Sequence, residues 1–298
     1  MADVVHALQP TQWSLFFLNL SSSYNQWGLG HLDRDTDEIA QCIRYILEYK
    51  TANFANSKVV LMGHSTGSQA VLHYLHRPNP HTSDPPFDRH LHHVMRPALD
   101  GAIMQASVSD RQAILSVLEE GIGGRTPSEV QLAYRQILAL TKEAAVGDQR
   151  FDMLLPMALT SQLGYPRNNP ISCRRFLSLA SPNSPAEPSE DDLFSSDLSD
   201  AQLAKTFGMI KTQGLLKTKL VVLYSGADQS VPNWIDKQSL LQRWRNASNH
   251  GGREQIWDDE FSAIIPGASH ALSNDDQAEP RMYLVKRVLG YLHRLESS

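Results

Sequence analysis

Short, wholly apolar runs alternate along the chain with longer stretches in which apolar residues recur at helical spacing. The runs are "WSLFFLNL" (Trp13–Leu20), "KVVLM" (Lys58–Met62), the start of "LDGAIMQASVSD" (Leu99–Asp110), "KLVVLYSGAD" (Lys219–Asp228) and "EFSAIIPGASH" (Glu260–His270). Short apolar runs of this kind suit strands buried on both faces. A helix is predicted from about Asp35 to Lys50, with Ile39, Ile43, Ile46 and Leu47 on one face and acidic residues in its dipole-favoured first turn. Further helices are predicted over Gly67–His76, Trp234–Ala247 and the C-terminal "PRMYLVKRVLGYLHRL", where Pro280 suits a first turn. Strands alternating with helices predict a mostly parallel sheet with helices on both faces, an α/β fold.

Between Asp110 and about Lys217 the strand pattern stops. "RTPSEVQLAYRQILALTKEAA" reads as a helix, followed by "DMLLPMALTSQLG" and the acidic "SPAEPSEDDLFSSDLSDAQLAKTFGMI". A loop of that length without structure is uncommon. The expectation is a single domain over residues 1–298 with a helical cap or lid inserted at about 110–217. "RPNPHTSDPPFDRH" reads as a proline-rich surface loop, and its neighbouring His90, His92 and His93 lack the fixed spacing of a metal site.

Composition narrows the partners. The 298 residues are 41% hydrophobic and 20% charged, with a net charge of −5. That is an ordinary globular balance with no basic patch for nucleic acid or an anionic membrane. Cys42 and Cys173 stand alone, which suits a reducing compartment and predicts neither a disulfide framework nor a cysteine-bound zinc. No signal peptide or apolar membrane span is legible, so the expected location is the cytoplasm. The sequons at Asn19 and Asn246 are then accidental, and Trp13, Trp27, Trp234, Trp244 and Trp257 read as packing residues.

Candidate chemistry centres on Gly63-His64-Ser65-Thr66-Gly67, a Gly-x-Ser-x-Gly turn between a predicted strand and a predicted helix. Such a turn lifts the serine hydroxyl above the sheet, and the flanking glycines let strand and helix approach closely. The amide of Thr66, at the helix start, is the candidate oxyanion donor. A serine needs a base, and the base needs a carboxylate to orient it. In this architecture the acid and then the histidine follow the serine at strand C-terminal ends, which selects Asp228 and His270. Asp110 also ends a strand and is a rival acid. Asp258, Asp259 and His250 precede their strand, at the wrong end, while His64 lies inside the turn itself.

Together "SSSYNQWGLGHLDRDTDEI", "VVLMGHSTGSQAVLHYL", "LDGAIMQASVSDR", "DDLFSSDLSD" and "GADQSVP" resemble a fungal and plant α/β-hydrolase family, formerly of unknown function, that includes fungal siderophore (fusarinine C) esterases. The resemblance implies the α/β-hydrolase fold, the triad Ser65, Asp228 and His270, and intracellular hydrolysis of ester bonds in a hydroxamate siderophore. It implies a small-molecule ester substrate, with any iron belonging to that substrate and no cofactor of the protein's own. Another carboxylesterase or thioesterase reaction, or a non-catalytic hydrolase-like protein, are the alternatives. Against the family pattern, Trp13–Leu20 counts as the fourth strand and Val4–Gln9 as the remnant of the helix before it. The first three strands, with the glycine-rich loop that donates the second oxyanion N–H, are then expected upstream, as in a shortened form of an active hydrolase; Ser21–Ser23 are the substitute donors if no such segment exists.

Overall fold

The computed structural model describes residues 2–53, 57–81, 88–145 and 152–297. Helix α1 (Ala2–Leu8) and the long α2 (Leu32–Asn53) precede strand β1 (Val60–His64), followed by α3 (Thr66–His76) and β2 (Gly101–Gln105). Among the described residues, six α-helices then separate β2 from the next strand: α4 (Asp110–Glu120), α5 (Pro127–Ala145), α6 (Met157–Thr160), α7 (Cys173–Ala180), α8 (Asp200–Ala204) and α9 (Met209–Gln213). The chain closes with β3 (Leu220–Ser225), α10 (Lys237–Ser248), β4 (Ala263–Ile265) and α11 (Ala278–Glu296).

The four strands form one parallel sheet in the order β1-β2-β3-β4. Every residue of β2 and β3 is buried, as two covered faces require, whereas β1 alternates between buried and half-buried positions. Alternation along β3 sends its side chains into two cores. Val222 and Tyr224 pack with α2, α3, α9 and α10, including Trp244, whose ring stacks on Phe207 with centroids 5.2 Å apart. Val221 and Leu223 pack on the other face against α1 and α11 through Val4, Leu8, Leu284 and Val288. A third cluster, with Ile114, Val130, Ile137 and Phe176, belongs to the helices between β2 and β3. Those inserted helices therefore hold a core of their own.

Two expectations need correction. Helix α2 begins at Leu32, earlier than the apolar stripe indicates, because Asp33 and Asp35 suit the positive end of the helix dipole. More importantly, Trp13–Leu20 is not a strand: among the described residues it joins no ladder, and Leu15, Phe16 and Phe17 are 38%, 45% and 63% exposed. Trp13 touches the α1/α11 core while Leu18 and Leu20 touch the opposite one, so the segment crosses between layers. An apolar run becomes a strand only where a neighbour in register satisfies its N–H and C=O groups. Of the proline-rich loop, residues 82–87 lie outside the described residues.

Candidate active site

The sharp turn after β1 forms for a steric reason at Gly63. A Cβ there would lie 2.0 Å from the carbonyl oxygen of Gly67, so only glycine lets the strand and α3 come this close. Gly67 itself faces open space, contrary to the expectation that both glycines relieve crowding. Ser65 takes φ 54° and ψ −121°, a costly conformation for a residue with a Cβ. It is held there by its N–H, which donates to the Gln105 carbonyl at 3.0 Å. The buried Ser68 hydroxyl contacts the carbonyl oxygens of Gly63 (3.1 Å) and Gln105 (2.9 Å), fixing the turn against β2. Thr66 opens α3, so its amide is among the first-turn N–H groups without an intrahelical acceptor.

The structure brings Ser65, His270 and Asp228 together from three loops. His270 Nε2 lies 2.8 Å from Ser65 Oγ, and His270 Nδ1 lies 2.8 Å from Asp228 Oδ2. A carboxylate only accepts, so Nδ1 carries the proton and Nε2 is left to receive the serine hydroxyl's. The other Asp228 oxygen accepts the Ser230 N–H at 2.9 Å, and the carboxylate is buried. This is the geometry that makes an alcohol nucleophilic.

The rivals are occupied elsewhere. Asp110 heads α4 and takes a hydrogen bond from Gln69 Nε2 at 2.8 Å; burial and the nearby Asp191 push its carboxyl up to about 6. Asp258 is buried against Arg294, and Asp259 pairs with Arg245 at 2.6 Å. His250 lies in a short helical turn after α10. The Ser21 N–H donates to Glu38 (2.7 Å), the Ser23 N–H to Leu20 O (2.9 Å) and the Ser22 hydroxyl to Asp35 (2.5 Å), so the 21–23 segment is tied to α2.

Beside Asp228 lies a cavity of about 950 Å³, lined by α4, Leu163–Tyr165 and the loop from Gly226 to Asn233, with neither Ser65 nor His270 in its wall. Behind Ser65, a buried polar network joins α3 to the inserted helices. Gln69 Nε2 donates to the Asp191 carbonyl (2.9 Å) as well as to Asp110, and the Asp191 carboxylate accepts from Arg175 and Ser178 at 2.5 Å each. Gln69 carries no sequence signal beyond standing one turn after Ser65 on a predicted helix.

Two titratable clusters lie elsewhere. The N–H groups of His92, His93 and Val94 donate to Asp37, and His93 Nδ1 donates to the His81 carbonyl. These contacts seat the histidine-rich segment on α2. Asp33, His73 and Glu190 bring ligand-type atoms within 4.8 Å of one another. Arg77 stands 3.7 Å from the same Asp33 oxygen, and burial with neighbouring carboxylates holds Glu190 well above the usual carboxyl range. Raised Glu190 and lowered His73 both lean to their neutral forms, which leaves Arg77 and Asp33 as the opposite charges of the cluster.

Over residues 1–293 the sequence matches the family described as "Protein of unknown function (DUF1749)". It is 66% identical over 300 residues to Fusarinine C esterase sidJ of Aspergillus fumigatus, covering 99% of this chain and 84% of that protein. To an esterase of Emericella nidulans it is 47% identical over 308 residues, covering 99% of this chain and 82% of the relative. Among solved structures, the siderophore hydrolase EstB from Aspergillus fumigatus matches with a TM-score of 0.83 at 61% identity, covering 99% of this chain and 84% of that one. The parallel sheet with helices on both faces is accordingly an α/β-hydrolase fold.

Proposed function

The chain belongs to the DUF1749 family, and from that membership and the site we propose a serine ester hydrolase that cuts ester bonds of a fusarinine-type hydroxamate siderophore. The observation carrying the reading is the unbroken relay from Ser65 Oγ through His270 to Asp228, both contacts at 2.8 Å. Ser65 Oγ attacks the ester carbonyl carbon as its proton passes to His270 Nε2. Asp228 holds the imidazole in register and stabilises the imidazolium. The Thr66 amide faces the oxyanion, where a fixed donor is worth about a hundred- to thousandfold in rate. Collapse of the tetrahedral intermediate expels the alkoxide, which takes the proton back from His270. Water, deprotonated by the same nitrogen, then releases the acid from Ser65.

The relatives' names support the substrate class. The inserted helices α4–α9 act in this reading as a cap that selects the acyl and alcohol portions. Iron, where present, enters as part of the substrate. Among the described residues no helix is long and apolar enough to cross a membrane. The two free thiols, Cys42 and Cys173, suit a cytoplasmic setting.

Incubating the protein with a fluorophosphonate and with fusarinine C tests the reading. Covalent labelling at Ser65 and fusarinine fragments, each gaining one water per bond cut, are expected. Ser65→Ala should lose labelling and about 10⁶-fold in kcat. Asp228→Asn should lose about 10⁴-fold, and Asp110→Asn far less. A folded protein that neither labels at Ser65 nor opens the ester would overturn the assignment.

A further inference from the structure

We infer that His64 and Gln229 are positioning residues that grip the peptide backbone of His270 from the two loops its side chain must meet. The inference rests on the proposed role of His270 as the base. The feature behind it is how little regular structure holds that residue. Strand β4 is three residues long, pairs on one side with β3, and ends at Ile265, before the loop that carries His270. A ladder that short leaves the loop free to pivot unless other groups fix it.

The main chain holds the loop as far as Ala268, whose carbonyl accepts the Ala227 N–H at 2.8 Å, and side chains supply the restraints beyond it. His64 Nε2–H donates to the His270 carbonyl oxygen at 2.9 Å, and the two rings lie 5.1 Å apart. Gln229 Oε1 accepts the His270 N–H at 3.1 Å. Next door, Gln277 Oε1 accepts the Ser269 N–H at 2.8 Å. The sequence positions of the first two give the arrangement its meaning. His64 immediately precedes Ser65, and Gln229 immediately follows Asp228. Each partner of the imidazole thus carries, one residue away, a side chain bonded to the histidine's own backbone. Drawing His270 away from Ser65 breaks the His64 bond; drawing it away from Asp228 breaks the Gln229 bond.

The chemical states suit the task. Burial disfavours protonation of His64 more than its bond to the His270 carbonyl favours it, so its proton affinity is lowered. A neutral ring with its hydrogen on Nε2 is a donor and sets no second cation beside the imidazolium formed during turnover. Gln229 is exposed, so its side chain has little packing to lose on substitution.

The test compares His64→Phe, His64→Gln and Gln229→Met in the full chain, by p-nitrophenyl ester kinetics and crystal structures. Misplacing a reacting group by about 1 Å costs on the order of a hundredfold. The expected result for His64→Phe and Gln229→Met is a kcat lower by about ten- to a hundredfold with KM little changed. His64→Gln, which keeps an N–H donor of similar reach, should recover most of the loss. In the crystals of His64→Phe and Gln229→Met, His270 Nε2 should withdraw from Ser65 Oγ. The clamp is overturned if both variants keep the wild-type rate, if His64→Gln falls as far as His64→Phe, or if the loss lies in KM. The crystallographic arm is independent of turnover: an unmoved ring in both variants overturns the clamp, whereas failure of Ser65 to label overturns the esterase reading instead. Should His64→Phe not fold, Gln229→Met decides.

Discussion

Ser65 is strained, Gly63 is the reason the strain can exist, and Gly67 is sterically idle. The two glycines of one motif therefore predict opposite responses. Gly63→Ala drives a methyl into the Gly67 carbonyl and should destabilise by at least about 1 to 3 kcal/mol, the usual cost of overpacking. Gly67→Ala, on a helix with open space beyond, should stabilise by roughly 0.4 to 1 kcal/mol. Urea titrations of both variants check the pair. The proposed Ser65, Asp228 and His270 stand out in the sequence because each ends a strand or sits on a sharp turn, although chain order alone leaves Asp110 as a rival to Asp228. His64, Gln69 and Gln229 do not. Their partners are backbone atoms or carboxylates from other loops, and nothing in a local pattern announces an acceptor brought in by folding.

At the scale of elements, legibility followed burial on both faces. Strands β2 and β3 lie where the apolar runs indicate, trimmed by a few residues, and helix α3 starts one residue earlier than expected, at Thr66. Trp13–Leu20 has the same apolar character without a ladder partner, and composition cannot distinguish the two cases. The acidic stretch before α8 hides another surprise: Asp191 and Asp192 are buried, Asp191 supplied with donors from α7 and Asp192 by Ser184 and Ser195 of the stretch itself. Helix α7 hangs on this arrangement through Arg175, which donates to the Trp27 carbonyl at 3.0 Å as well as to Asp191. Arg175→Met would strand a buried carboxylate and should cost about 3 to 5 kcal/mol. Adding Asp191→Leu should return part of that loss, and denaturant midpoints of the single and double variants measure it.

Across the whole molecule, buried carboxyls shape the response to pH. Burial pushes Asp35 up to about 6, against the Ser22 hydrogen bond that lowers it. The unfolded chain releases that proton near pH 4, so between about 4 and 6 the folded state holds a proton that the unfolded state has lost. Stability from this group therefore falls as pH rises through that window and levels off above it. Asp35→Asn removes the slope, so relative to wild type the variant should gain on the order of 2 kcal/mol between pH 4 and pH 7. Equilibrium urea unfolding at the two pH values reads the difference; an unchanged gap would disprove it. Asp88 works the other way: burial alone would raise it, but His31, the His90 N–H and Arg34 draw it down to about 2, so its contribution fades only in acid. The brevity of β4 reaches further than the active site. A scaffold whose sheet is centred on β2 and β3, yet whose proposed base sits in a loop beyond a three-residue strand, should lose competence on warming before it melts: turnover would decline at temperatures where calorimetry still records an intact fold.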